Sequence, residues 1–201
     1  MSRPQTTKKD TFWLLYCVLI VSIVLASSTL FLFQVYQEIG TWGLPIDDGW
    51  IHFRFAKNLA EGYGFCFNKG QPIGGSTAPL WTVTLALVYR LTGELMVSSF
   101  VVGILFLILS GLLVYEIGLL LSENRVFAMS TGLVAVSLGR LTWGALSGME
   151  ISLSVFLTLL GIYLYLRDRQ PPASKSLSST VVFALAGLTR PESYLLFFVS
   201  L

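Results

Sequence analysis

Long apolar segments alternate with short polar ones along most of the chain. A bilayer core about 30 Å thick needs roughly 20 apolar residues per helix. Five segments meet or approach this length, which predicts an all-α, polytopic transmembrane bundle of about five spans. These segments are residues 12–33, 97–121, 126–143, 151–166 and 177–201. Because the last run ends without polar residues, we expect residues 1–201 to be a single transmembrane domain and the N-terminal module of a longer protein.

The first apolar segment allows two interpretations. Basic residues precede it and the small residues 26–28 follow a hydrophobic stretch, as in a cleaved signal peptide. The apolar run continues to Phe33, however, which favours a retained membrane anchor.

Residues 77–91 are apolar but short for a full crossing, and runs of that kind often lie at the membrane surface. If they do not cross, the tail with Arg3, the turn at Arg125 and the basic loop 167–175 all lie on one side. The positive-inside rule makes this side the cytoplasm. If they cross, the basic loop moves outside. We therefore expect a cytoplasmic N-terminus and a first extracytoplasmic loop over residues 34–96.

This first loop has a clear internal pattern. Glycine and proline open it, Asp47-Asp48-Gly49 follows, and residues 50–61 have the spacing of an amphipathic helix. A glycine-rich turn then leads to residues 77–91, which we expect to form a second interfacial helix. The helix at 50–61 would have an apolar face of Ile51, Phe55 and Leu59 and a polar face of Arg54, Asn58 and Glu61.

Composition supports a membrane protein and narrows its partners. Of the 201 residues, 54% are hydrophobic and 12% are charged, about half the charge of a soluble domain. The 13 basic and 11 acidic residues form no basic block, so we expect no nucleic-acid partner. With one histidine, His52, and no cysteine pair at ligand spacing, a zinc or haem site is not indicated.

Two neighbouring acids, Asp47 and Asp48, precede the predicted loop helix. Either could simply cap it, by accepting backbone N–H bonds and complementing the helix dipole. One aspartate is enough for a cap, so the other could be a general base or a metal ligand. The spacing does not separate these alternatives.

Two later motifs also carry acids. Ser147 and Glu150 have the spacing of a capping box. This spacing favours a capping role for Glu150 over a functional role as a second carboxylate at the outer face. Arg190 and Glu192 lie inside an apolar run, where each charge costs about 2.5–3.5 kcal/mol unless it faces protein or a wet cavity. They could form a buried ion pair at a kink caused by Pro191, but we favour an anion-binding role for Arg190.

These motifs together resemble the GT-C membrane glycosyltransferases, in the branch with mycobacterial arabinofuranosyltransferases and relatives of the protein O-mannosyltransferases. The resemblance covers most of the chain, and the first-loop signature is its most specific part. The motifs that carry it are residues 47–70, 75–81, 147–150 and 188–192.

The resemblance implies transfer of a sugar, with inversion, from a polyprenyl-phosphate donor to a glycan, lipid or protein acceptor outside a bacterial or archaeal plasma membrane. It implies that Asp47 is the catalytic base, with Asp48 beside it as a possible ligand of Mg²⁺ or Mn²⁺. An acid that relatives often carry before a Gly-x-Thr turn is replaced here by Gly74 and Gly75, and Glu150 could take its role. The expected substrate-binding residues are Arg54, Asn68, Lys69, Thr77, Glu150, Arg190 and Glu192.

Two other functions fit the same pattern. A transporter or flippase for a lipid-linked sugar would use a similar cavity but needs no general base. A non-catalytic module would bind the carrier or a partner helix without any reaction. The paired acids favour the enzyme.

Overall fold

The computed structural model describes residues 6–170 and 177–200, which are mostly helical. This confirms the predicted all-α class. Arg3, Lys175 and Leu201, which enter the predicted topology, lie outside the described residues. One antiparallel hairpin, β1 (Cys66–Asn68) with β2 (Gln71–Pro72), lies in the first loop. The helices are α1 (Thr6–Ile39), α2 (Asp48–Ala60), α3 (Pro79–Thr92), α4 (Met96–Ser122), α5 (Arg125–Val136), α6 (Gly139–Ala145), α7 (Ile151–Asp168), α8 (Ser178–Gly187) and α9 (Tyr194–Ser200).

Three helices are long and apolar enough to cross a membrane, which indicates a membrane protein. They are Phe12–Ile39 within α1, α4 and α7. The predicted span at 126–143 is divided into α5 and α6, which are bent by 58° and would make a fourth span if counted together. The prediction of five spans is thus confirmed only in part.

The prediction of one helix over residues 177–201 is wrong. After α8 the chain leaves the helix, forms a 3-10 turn at Pro191–Ser193 and continues as α9. The Ser200 hydroxyl donates to Thr180 Oγ1 at 3.2 Å, so the end of α9 lies beside the start of α8. The two helices therefore form an antiparallel hairpin, which we call the α8–α9 hairpin, with residues 188–193 as its tip. The break is larger than the kink that Pro191 alone predicts.

α4 lies at the centre of the bundle and packs against α1, α5, α6 and α7. The Tyr16 hydroxyl donates to the Gly111 carbonyl at 2.7 Å, and the Tyr16 ring stacks on Tyr115 at 4.6 Å. Ile20, one turn after Tyr16, contacts α4 at Gly111, one turn before Tyr115, so α1 and α4 run antiparallel. Tyr16 and Ile20 are fully buried in this contact between α1 and α4.

Because α1 and α4 are antiparallel, the segment between them, residues 40–95, lies at one end of the bundle, which we call the loop end. Two other segments meet it there. The Trp81 indole of α3 donates to the Gly148 carbonyl at 2.9 Å, and the Leu80 amide donates to the Leu188 carbonyl of the hairpin tip at 3.1 Å. α3 therefore does not cross the bundle. That α2 and α3 lie in the membrane interface stays a prediction.

Candidate functional site

The two first-loop acids lie at the start of α2, which begins two residues earlier than the spacing predicted. Asp47 is its N-cap residue but makes no side-chain capping hydrogen bond, and Asp48 lies in the first turn. Both acids are exposed, and neither carboxylate is paired with another of the described residues. Capping by the Asp47 side chain, one of the two interpretations left open by the spacing, is therefore absent.

A close backbone contact attaches the start of α2 to the turn between α6 and α7. A Cβ on Gly49 would lie 2.8 Å from the Ser147 carbonyl oxygen and 2.6 Å from a Leu44 methyl group. Gly148 in that turn has a φ of +75°, a conformation that side chains disfavour, and a Cβ there would press on Leu44 and Phe53. The two glycines allow Asp47 and Asp48 to lie directly beside the turn that carries Glu150.

The capping-box interpretation of this turn is wrong. Helix α7 begins at Ile151 with Glu150 as its N-cap residue, so Glu150 is not three residues inside a helix started by Ser147. The Ser147 hydroxyl instead donates to the Gly144 carbonyl at 2.9 Å and accepts the Met149 amide at 3.3 Å. The Glu150 carboxylate makes no side-chain capping hydrogen bond and is buried in the protein.

Glu150 lies in a buried cluster with Arg190 and His52, which come from three separate segments of the chain. Arg190 Nε donates to Glu150 Oε1 at 3.0 Å, and His52 Nε2 lies 3.4 Å from Glu150 Oε2. The side chains of Glu150 and His52 are 5% exposed, whereas that of Arg190 is 40% exposed. The guanidinium therefore has one edge on Glu150 and part of its surface open.

Opposing effects act on the pKa of Glu150. Burial alone would raise that pKa, because it disfavours the charged carboxylate. The neighbouring His52, its own backbone amide and the hydrogen bond from Arg190 together outweigh burial and hold the pKa of Glu150 below its usual value. Glu150 is thus a stable carboxylate near neutral pH, which suits a fixed counter-ion better than a proton acceptor.

His52 was not among the predicted site residues. The burial of Asn58 was not predicted either. His52 lies one helical turn after Asp48, and this i, i+4 spacing was the only available signal. Asn58 was expected on a polar face, but it is buried and its amide donates to the Cys66 and Phe67 carbonyls at 2.9 and 2.8 Å. It therefore anchors the β-hairpin on α2.

A groove of about 540 Å³ runs along another side of α2, next to the C-terminal turn of α3 and the start of α4. It contains both aromatic and charged groups at the loop end. Trp50, Arg54 and Lys57 contribute the α2 wall, and their spacing places Asp47 one turn before them on the same side of the helix. Asp48 is instead aligned with His52. The other lining residues are Trp42, Phe53, Tyr89, Gly93, Glu94, Leu95 and Met96.

The remaining predicted binding residues are distributed around this region. Arg54 uses Nε to donate to the Phe67 carbonyl at 3.0 Å. Lys69 pairs with Glu61 at 3.1 Å and lies 3.9 Å from the centre of the Tyr63 ring, so it is already engaged within the β-hairpin region. That hydrogen bond to Glu61 raises the pKa of Lys69. Three others are exposed: Asn68 on the β-hairpin, Thr77 before α3 and Glu192 on the tip of the α8–α9 hairpin.

The described residues provide few clustered side chains that could bind a metal ion tightly. Among residues 6–170 and 177–200, no group of three or more His, Cys, Asp or Glu side chains is close enough to bind one ion. Mg²⁺ in enzymes is often held by one or two carboxylates together with substrate phosphates. The Asp47–Asp48 pair fits that weaker kind of site and no other.

No family model, no curated protein and no solved structure matches this chain. The fold and site therefore define a class only: a helical membrane protein with exposed acids and a buried charged cluster at one end.

Proposed function

We propose that the protein is an integral-membrane glycosyltransferase that moves a sugar from a polyprenyl-phosphate donor to an extracytoplasmic acceptor with inversion. One observation carries the proposal: Asp47 is exposed, unpaired among the described residues, and heads the side of α2 that lines the aromatic and cationic groove. A general base must reach a substrate hydroxyl, and an uncommitted carboxylate beside a groove can do so.

In the proposed reaction, the acceptor oxygen forms a bond to the anomeric carbon while the bond from that carbon to the phosphate oxygen breaks. The acceptor proton passes to the Asp47 carboxylate, and the polyprenyl phosphate leaves with the bonding electron pair. Cations at the loop end stabilise the negative charge of the leaving phosphate. The candidates are Arg54, which lines the groove, and Arg190, which lies outside it beside Glu150. Where a divalent cation takes part, Asp48 is its candidate ligand and the ion would neutralise that same phosphate.

The location at the end of the bundle also favours a lipid-linked substrate. Below the groove, α4 exposes Val97, Val101 and Leu105 at intervals of four residues, which makes an apolar stripe. A prenyl chain could lie along this stripe in hydrocarbon while its phosphate reaches the groove. The sugar, the acceptor and the plasma-membrane location belong to the proposal.

The test offers the protein, in nanodiscs, a panel of radiolabelled polyprenyl-phosphate sugars with and without added acceptors. Retention of the carrier and release of free polyprenyl phosphate are measured separately. The proposal expects both. Retention with movement of the carrier across the bilayer but no release would favour the flippase, and retention alone would favour a binding module. If no carrier is retained, the proposed function is wrong.

A further inference from the structure

The α8–α9 hairpin is attached to the loop end by buried apolar residues such as Ala186 and by directed contacts of its tip. The Leu80 amide at the start of α3 donates to the Leu188 carbonyl of the tip. This amide is in the first turn of α3 and so has no partner within its own helix. The other directed contact is the ion pair of Arg190 with Glu150. The tip side chain Glu192, by contrast, is exposed.

The geometry of the ion pair suits a role in which Glu150 orients Arg190 and does not itself bind a ligand. Glu150 is 4% exposed as a residue, so a ligand in the groove or beside the acids cannot reach it without displacing its partners. Arg190 contacts it through Nε only, and the guanidinium plane fixes the direction of the two terminal nitrogens once Nε is held. A lysine has no equivalent of this second edge.

We propose that Glu150 is a positioning residue: with His52 behind it, Glu150 fixes the hairpin tip on the loop end and orients the open edge of Arg190 for a phosphate-bearing ligand. This role differs from the predicted one, in which Glu150 binds substrate directly. The phosphate part of the inference rests on the proposed function, whereas the attachment of the tip does not.

Hydrogen exchange of the Leu80 amide tests the attachment directly, in the full chain in nanodiscs. We expect Glu150→Gln to speed exchange of this amide about tenfold or more, since a neutral amide makes a weaker bond to Arg190 than a carboxylate does. Glu192→Gln removes the same charge from the hairpin tip itself, at an exposed position, and is the matched control, with no change expected. Amides in the middle of α4 report whether the bundle is still folded.

The double variant shows whether Glu150 acts through Arg190. Arg190→Gln is expected to speed Leu80 exchange to a similar degree, and adding Glu150→Gln to it should produce no further increase. Effects that multiply in the double variant would overturn the proposal, as would normal Leu80 exchange in Glu150→Gln or an equal effect of Glu192→Gln.

Ligand binding supplies an independent readout, with undecaprenyl phosphate as the probe. Arg190→Lys should weaken binding about tenfold or more, and Glu150→Gln should weaken it in wild type but not in the Arg190→Gln background. Equal weakening in both backgrounds would contradict a role through Arg190. If wild type binds no undecaprenyl phosphate while the exchange results hold, the proposed function and the phosphate role fail and the attachment stands.

Discussion

The bundle and the loop end are held together in different ways. The bundle cluster is an apolar set in which helices approach closely through glycines, as is usual between membrane helices. The loop cluster is also apolar, and several directed bonds join its segments in addition: Trp81 and Leu80 donate to carbonyls, and Glu150 accepts from Arg190. The bundle cluster is Tyr16, Ile20, Val24, Leu107, Tyr115, Ala128, Val136 and Ala145. The loop cluster is Leu44, Phe53, Ala56, Ala78, Trp81, Leu85, Ala86, Phe100, Leu146, Leu153, Leu157 and Ala186.

This difference suggests a division of labour. Close packing makes the bundle sensitive to added volume, because Gly103 and Gly118 face the backbone of a neighbouring helix. Directed bonds make the loop end sensitive to loss of a single partner, and they allow its segments to be detached one at a time. A site that must admit a lipid-linked substrate is expected in the second kind of region.

The largest effect should come from adding one methyl group to the bundle. A Cβ on Gly103 would overlap the Ala145 carbonyl oxygen, so Gly103→Ala forces α4 and α6 apart. We expect a loss of about 2–3 kcal/mol in thermal unfolding measurements, the upper range for overpacking. Gly139→Ala is the matched control, because that Cβ meets open space and should change stability by less than about 0.5 kcal/mol. Equal effects of the two would contradict close packing here.

Removing the charge of Glu150 should be the next largest change. Glu150→Gln weakens its hydrogen bond with Arg190 and its contact with His52, and a hydrogen bond to a charged group contributes about 1.5–3 kcal/mol. Because Arg190 is partly exposed and water can hydrate it, we expect a loss of about 2 kcal/mol. Thermal unfolding of Glu192→Gln should remain within about 0.5 kcal/mol of wild type. A neutral effect of Glu150→Gln would mean that the buried pair adds no stability.

A smaller effect is expected at Trp81. Trp81→Phe keeps most of the buried ring but leaves the Gly148 carbonyl without its donor, at a cost of about 1 kcal/mol. The same thermal unfolding measurement detects this loss, and Trp42→Phe at an exposed position is the control. If both substitutions are neutral, the indole bond does not hold α3 on the turn.

The pH dependence of stability should give the smallest of these differences. A carboxylate whose pKa is lowered by folding stabilises the protein above its unfolded pKa, and this contribution is lost as pH falls through the folded pKa. For Glu150, with an unfolded pKa of about 4.3, part of its contribution is lost as pH falls to about 4. The stability gap between wild type and Glu150→Gln should therefore be constant above about pH 6 and shrink in acid. A stability gap that widens in acid would contradict a pKa of Glu150 that is lowered by folding.

The same contrast explains what the sequence could predict. α1, α4 and α7 follow from continuous apolar runs, and α2 follows from its flanking glycines and amphipathic spacing. The α8–α9 hairpin does not, because hydropathy treats residues 177–201 as one run and only contact with Leu80 and Glu150 fixes the tip. Glu150 has the same limitation: its local spacing fits a cap, whereas its partners His52 and Arg190 are distant in sequence and become visible only after folding.

The central claim is that Asp47 is the general base, and a matched pair of variants tests it most directly. Asp47→Asn and Asp48→Asn remove the same charge from neighbouring exposed positions, and both should unfold within about 0.5 kcal/mol of wild type. Single-turnover release of polyprenyl phosphate, with the sugar donor that wild type uses in nanodiscs, is the measurement. We predict a loss of about 100-fold or more for Asp47→Asn and a clearly smaller loss for Asp48→Asn. Normal release by Asp47→Asn would contradict the assignment of Asp47 as the base.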